Sequence, residues 1–148
     1  MNEESPIKRG ERARASYIAD LDKKGIRLVQ VQDQSRRRVI YKTHSGKIVG
    51  LPYARELPQK GPGRWFLGLP QQHFDFVVLL CETSQGELLD FVFPPDFVGE
   101  IWDSLSSAER GQGDVKFEAI RQPQDDKLAM KNGRLNSLLK NLDLSKGL

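Results

Sequence analysis

The sequence predicts an α+β or α/β fold: a single domain with a mixed, mainly antiparallel sheet flanked by helices. Three observations carry this. Short runs of alternating apolar residues are separated by turn-forming residues, an apolar run broken only by Asp75 occupies 74–81, and apolar residues recur at helical spacing in 6–24 and 95–107. With 148 residues, 38% hydrophobic and 29% charged, and a mean hydropathy of -0.54, the chain suits one domain with a modest core. We place that domain over 1–121, with a linker and an appended C-terminal helix over 122–148.

Ser5-Pro6 is a helix start, a capping hydroxyl followed by a proline suited to the first turn, and Gly25 after Lys23-Lys24 is a helix stop. Between them Tyr17, Ile18 and Leu21 form an apolar face with Ala13 and Ala15 as small contacts. Val29 and Val31, then Val39 and Tyr41, alternate with polar neighbours around the polar turn at 33–36, which reads as a hairpin. His44-Ser45-Gly46 turns the chain into a third strand with Ile48 and Val49, ended by Pro52. Residues 52–64 contain Pro52, Pro58, Gly61, Pro62 and Gly63 and read as an exposed loop. Trp65-Phe66-Leu67 re-enters the core, 74–81 and 88–93 are central strands joined by a turn at 84–87, and Val115, Phe117 and Ala119 alternate as a last strand. An apolar run on both faces requires cover on both sides, assigned to the first helix and to 95–107.

Composition excludes several function classes. The longest apolar stretch, 76–81, falls far short of the roughly 20 residues needed to cross a bilayer, and the acidic start is no signal peptide, so a cytoplasmic location without membrane contact is expected. One cysteine, Cys81, and two histidines, His44 and His73, leave little for a disulfide or a zinc centre. Residues 1–47 hold 12 Lys and Arg against 6 Asp and Glu, whereas 48–121 hold 6 against 11. A basic first third joined to an acidic body favours a polyanionic partner, nucleic acid above all; the competing reading is a solvated surface balanced within the chain.

Within the basic third, Arg36, Arg37, Arg38, Lys42 and Lys47 place five cations on one hairpin and its exit turn, where arginine makes bidentate phosphate contacts and lysine a point contact. Arg64 and Trp65 join them as contacts from the following loop. The same cations also suit a protected edge strand. Glu11, Asp33 and Lys42 are the catalytic candidates: two carboxylates to hold Mg²⁺ and a lysine to orient water and stabilise charge on phosphate. A solvated Glu11 and a turn-forming Asp33 are the plainer alternative. His44-Ser45 reads as a turn, Cys81 as a small buried hydrophobe, and Asp75 as a strand-start cap or a site acid.

The order of elements, with the segment Val39-Ile40-Tyr41-Lys42-Thr43, the Trp65-led stretch, Phe74-Asp75-Phe76-Val77-Val78-Leu79-Leu80 and Leu89-Asp90-Phe91-Val92-Phe93-Pro94, resembles the restriction-endonuclease-like (PD-(D/E)xK) superfamily over roughly residues 8–105. The match keeps Lys42 and Thr43 but has Ile40 where the superfamily's acid-x-lysine motif has its acid, and Asp33 lies close upstream. The resemblance implies a mixed-sheet, DNA-binding module that is weakly active or inactive in cleavage. Two other readings stay open: a Mg²⁺-dependent endonuclease in which Asp75 or Asp90 supplies a further acid, and an interaction subunit that docks to a protein through 123–148.

Overall fold

The computed structural model describes residues 5–31, 39–57, 63–70, 73–93, 114–122 and 127–130. One helix, α1 (Pro6–Lys23), is followed by strands β1 (Leu28–Gln30), β2 (Ile40–Thr43), β3 (Ile48–Gly50), β4 (Tyr53–Arg55), β5 (Arg64–Pro70), β6 (Phe76–Glu82), β7 (Leu88–Phe93), β8 (Asp114–Gln122) and β9 (Lys127–Met130).

The start and stop of α1 follow from local chemistry. The Ser5 side chain accepts a hydrogen bond from the Lys8 N–H at 3.2 Å, and Pro6 occupies the first turn, where its missing N–H costs nothing. At the other end the Gly25 N–H donates to Asp22 and the Ile26 N–H to Leu21, the paired bonds of a Schellman stop. Ala13, Tyr17 and Leu21 form the buried face, while Ala15 points outward.

Six strands make a mixed sheet in which β1, β2 and β3 are a meander, β6 runs parallel to β3 and β4, and β7 returns antiparallel along β6 from Glu82 to Val77. Strands β3 and β4 are two halves of one interrupted strand: Val49–Phe76, Gly50–Val77, Tyr53–Leu80, Ala54–Cys81 and Arg55–Glu82 continue one register. The interruption is Leu51-Pro52. Proline has no N–H for the ladder, but its carbonyl still accepts from Leu80 N at 2.9 Å. The Leu51 carbonyl is taken up by Arg14 Nε of α1 at 2.7 Å, so a helix side chain satisfies the backbone where the strand breaks. The expectation of an irregular loop from residue 52 is thus corrected: the chain pairs again over 53–55, and Pro52 marks a kink within a strand.

Two hairpins share one construction. Thr43 N donates to Lys47 O, Gly46 N donates to Thr43 O and Lys47 N donates to the Thr43 hydroxyl; Thr83, Gly86 and Glu87 repeat the pattern. Each is a tight turn closed by a glycine at positive φ, 89° at Gly46 and 86° at Gly86, with a buried threonine hydroxyl tying its base. His44 and Ser45 are the exposed middle of the first turn, as the turn reading expects.

The remaining strands form a separate antiparallel sheet in the order β5-β8-β9. This differs from the single sheet expected from sequence. Leu128, assigned to the tail, sits on β9, so strand pairing continues beyond residue 122. One core joins α1 to the six-stranded sheet through Tyr17, Leu21, Tyr41, Val49, Val78, Leu80 and Val92. A second core joins the opposite face to the smaller sheet through Trp65, Leu67, Leu69, Val77, Leu79, Phe91, Phe93 and Ala119. The unbroken apolar run of β6 is explained by this double cover. Among the described residues the second cover is a sheet; residues 95–107, expected to supply it as a helix, and the tail beyond 130 lie outside the described residues. No helix among the described residues is long and apolar enough to cross a membrane.

Candidate functional site

An open groove of about 780 Å³ runs between α1 and the edge of the six-stranded sheet. Glu11, Ala15, Ala19 and Asp22 line its helix side, and Arg27, Leu28, Gln30 and Tyr41 line its strand side. Arg14 also belongs to the lining, its guanidinium pKa lowered by burial while its Nε holds the Leu51 carbonyl.

Glu11 is therefore part of a groove, but Lys42 is not on its side. Tyr41 faces α1, and side chains alternate along a strand, so Lys42 projects from the opposite face together with Ile40, between its register partners Val29 and Ile48. The fold separates the two described members of the catalytic set by the thickness of the sheet. Asp33 lies outside the described residues, as do Arg36, Arg37 and Arg38.

The alternative acids are placed differently again. Asp75 Oδ2 accepts the Ile48 N–H at 2.7 Å while Asp75 N donates to Ile48 O at 2.8 Å, which closes the mouth of the β3–β6 pair. The Ile48 N–H, with His73 Nε2 3.2 Å from Oδ1, holds the Asp75 carboxyl below its ordinary pKa. That is the strand-start cap. Asp90 is exposed on β7 opposite Leu80. Among the described residues no three His, Cys, Asp or Glu side chains gather as metal ligands. Cys81 is fully buried in the second core, and burial pushes its thiol pKa up, in keeping with its reading as a hydrophobe.

The expected nucleic-acid contacts divide. Lys42 is exposed, and Lys47 is half-buried with its ammonium 6.0 Å from the centre of the Phe76 ring. Arg64 forms an ion pair with Glu118 across β5 and β8 at 3.5 Å. Trp65 is corrected outright. It is 0% exposed, and its indole N–H donates to the Glu82 carbonyl at 3.0 Å, so it is a core anchor and no surface contact. Its neighbour Phe66 is the aromatic that β5 turns outward, 53% exposed.

Sequence reasoning passed over Glu56, whose carboxylate ties two loops. Its Oε2 accepts from Gly63 N at 2.6 Å and its Oε1 from Ser84 N at 3.0 Å; those N–H groups lower its pKa. Tyr53 was also missed: it donates to Glu82 Oε1 at 2.8 Å, and burial with that bond pushes its phenol up to about 12. Neither lies in a motif, because Ser84 and Glu82, which Glu56 and Tyr53 reach, are each more than 25 residues away in sequence.

No protein-family model matches the chain, and no curated protein or solved structure shows significant similarity to it.

Proposed function

We propose that this chain is a nucleic-acid-binding module of nuclease-like architecture that holds DNA by its phosphates and does not cleave it. The observation that carries the reading is the placement of cations around the first turns of α1. Lys8 and Arg9 stand in the first turn with no acidic residue there, at the helix end where the macrodipole is already positive, and Arg12 follows in the second turn after Glu11. Such placement is unfavourable for an isolated helix and favourable beside a polyanion. Next to this end, Gln30 of β1 and Tyr41 of β2 line the same groove as Glu11, and the sequence between these two strands carries Arg36, Arg37 and Arg38. Lys42, exposed on the opposite face of the sheet, lies outside this helix-side surface. Phosphate contacts of this kind supply affinity without sequence discrimination.

The separation of Glu11 from Lys42, and the structural duty of Asp75, support binding without cleavage. Replacing Arg36, Arg37 and Arg38 together by alanine tests the reading. If each meets a phosphate, the slope of log K against log salt flattens by about 2.7, from about 0.9 for each contact. Affinity falls alike for all sequences. An unchanged slope and affinity overturn the assignment.

A further inference from the structure

The open edge of the six-stranded sheet is self-complementary, and we infer that two copies of this chain join through β1 into a two-fold dimer with one continuous sheet. The hydrogen-bonding pattern of β1 and β2 gives the direction of every backbone group. Val31 N donates to Ile40 O, so Val31–Ile40 is a bonded pair and Val29–Lys42, two residues back, is the next. The β2–β3 side agrees: Thr43 N donates to Lys47 O and Leu51 N to Val39 O, which turns the odd-numbered residues of β2 toward β3 and leaves Ile40 and Lys42 for β1. It follows that the N–H and C=O groups of Leu28 and Gln30 point away from β2. Among the described residues β1 pairs with β2 alone.

Those four groups match their own copy. Set antiparallel about a two-fold axis at Val29, Leu28 of each chain bonds Gln30 of the other through both N–H and C=O, giving four hydrogen bonds. Val29 then stands opposite its own symmetry mate as a close, non-bonded pair. Val29 is 58% exposed, unusual for a strand valine, and this pairing covers it.

The groove supplies room and charge matching on the helix side. On the helix side Ala15 and Ala19, one turn apart, present only methyl groups, and Ile18 adds an apolar side chain between them. Glu11 and Arg14 mark one end of the groove and Asp22 and Arg27 the other. The two-fold axis sets the Glu11 end of each copy against the Arg27 end of the other, so that Glu11 of each copy faces Arg27 of the other, while Arg14 stays committed to the Leu51 carbonyl. The inference is independent of DNA binding.

Sedimentation of the full chain over a dilution series reads the dimer directly, and three variants read its geometry. Gln30→Pro deletes one outward N–H while leaving the bonds of β1 to β2 untouched, because that N–H has no role in the ladder. Its mass should halve relative to the parent, with an unchanged circular dichroism spectrum, and Val29→Lys should do the same. Val29→Cys should oxidise to a reducible dimer, since Cα atoms about 4.5 Å apart in such a pair suit a disulfide. Ile7→Cys, at an even more exposed site (76%), should cross-link far more slowly. A parent chain that stays monomeric at its highest soluble concentration overturns the inference. So does a dimer that survives both Gln30→Pro and Val29→Lys, or equal cross-linking at positions 7 and 29.

Discussion

Replacing Trp65 separates its core role from the surface role that its neighbourhood in the sequence suggests. The side chain is fully buried between the two sheets. An aromatic of this kind removes on the order of 200 Å² from water, worth about 5 kcal/mol at about 25 cal/mol per Å². An extended unfolded reference inflates that figure, and alanine keeps part of it, so Trp65→Ala should cost about 3–5 kcal/mol. For a domain whose total stability is about 5–15 kcal/mol, this is enough to leave much of the population unfolded in mild urea. Trp65→Phe is the sharper probe. It keeps most of the apolar body and loses the N–H bond to the Glu82 carbonyl, which still accepts from Glu56 N at 2.8 Å. No acceptor is orphaned, so the cost should be about 1–2 kcal/mol. Urea unfolding followed by far-ultraviolet circular dichroism measures both, and DNA titration of folded Trp65→Phe should give the parent affinity. A loss under about 0.5 kcal/mol for Trp65→Ala, the range of surface substitutions, refutes the buried placement.

Two further perturbations probe the scaffold. The Glu56 carboxylate is held below its ordinary pKa by Gly63 and Ser84, so its contribution is present above the unfolded-state value and is lost as pH falls through the folded one; Glu56→Gln should be less stable than the parent at neutral pH, and urea midpoints should converge in acid. Gly46→Ala and Gly86→Ala should each cost about 1 kcal/mol by urea melts, with no packing component, because an added Cβ meets nothing within 4 Å while the positive φ remains.

Much of the fold was legible where local chemistry decides it. Ser5, Pro6 and Gly25 bound α1, and Gly46 and Gly86 close the two hairpins, because caps and positive-φ turns draw their partners from within a few residues. Strand β4 was hidden by Pro52: a proline ordinarily ends a strand, and only Arg14 reaching the Leu51 carbonyl, from 37 residues away, lets the chain pair again. The second sheet was hidden for a related reason. Its β5–β8 register joins residues far apart in sequence, and a pattern of alternation states that a strand exists without stating its partner.

The candidate site was legible only in part. Alternation along Ile40-Tyr41-Lys42 was already visible in the sequence, but which side α1 would cover was not, and that choice places Glu11 and Lys42 on opposite faces. Asp75 was readable as a cap because it precedes an apolar strand. Glu56 was not, since the N–H groups it holds come from two loops that only the folded chain brings together.

A titration of labelled duplex and single-stranded DNA over a salt series, with Mg²⁺ present throughout, tests the central claim most directly. Binding that weakens steeply with salt and leaves the DNA intact is the expected result. Mg²⁺-dependent cleavage products would contradict the claim that the chain holds DNA without cutting it, and an absence of binding at low salt would contradict the nucleic-acid reading altogether.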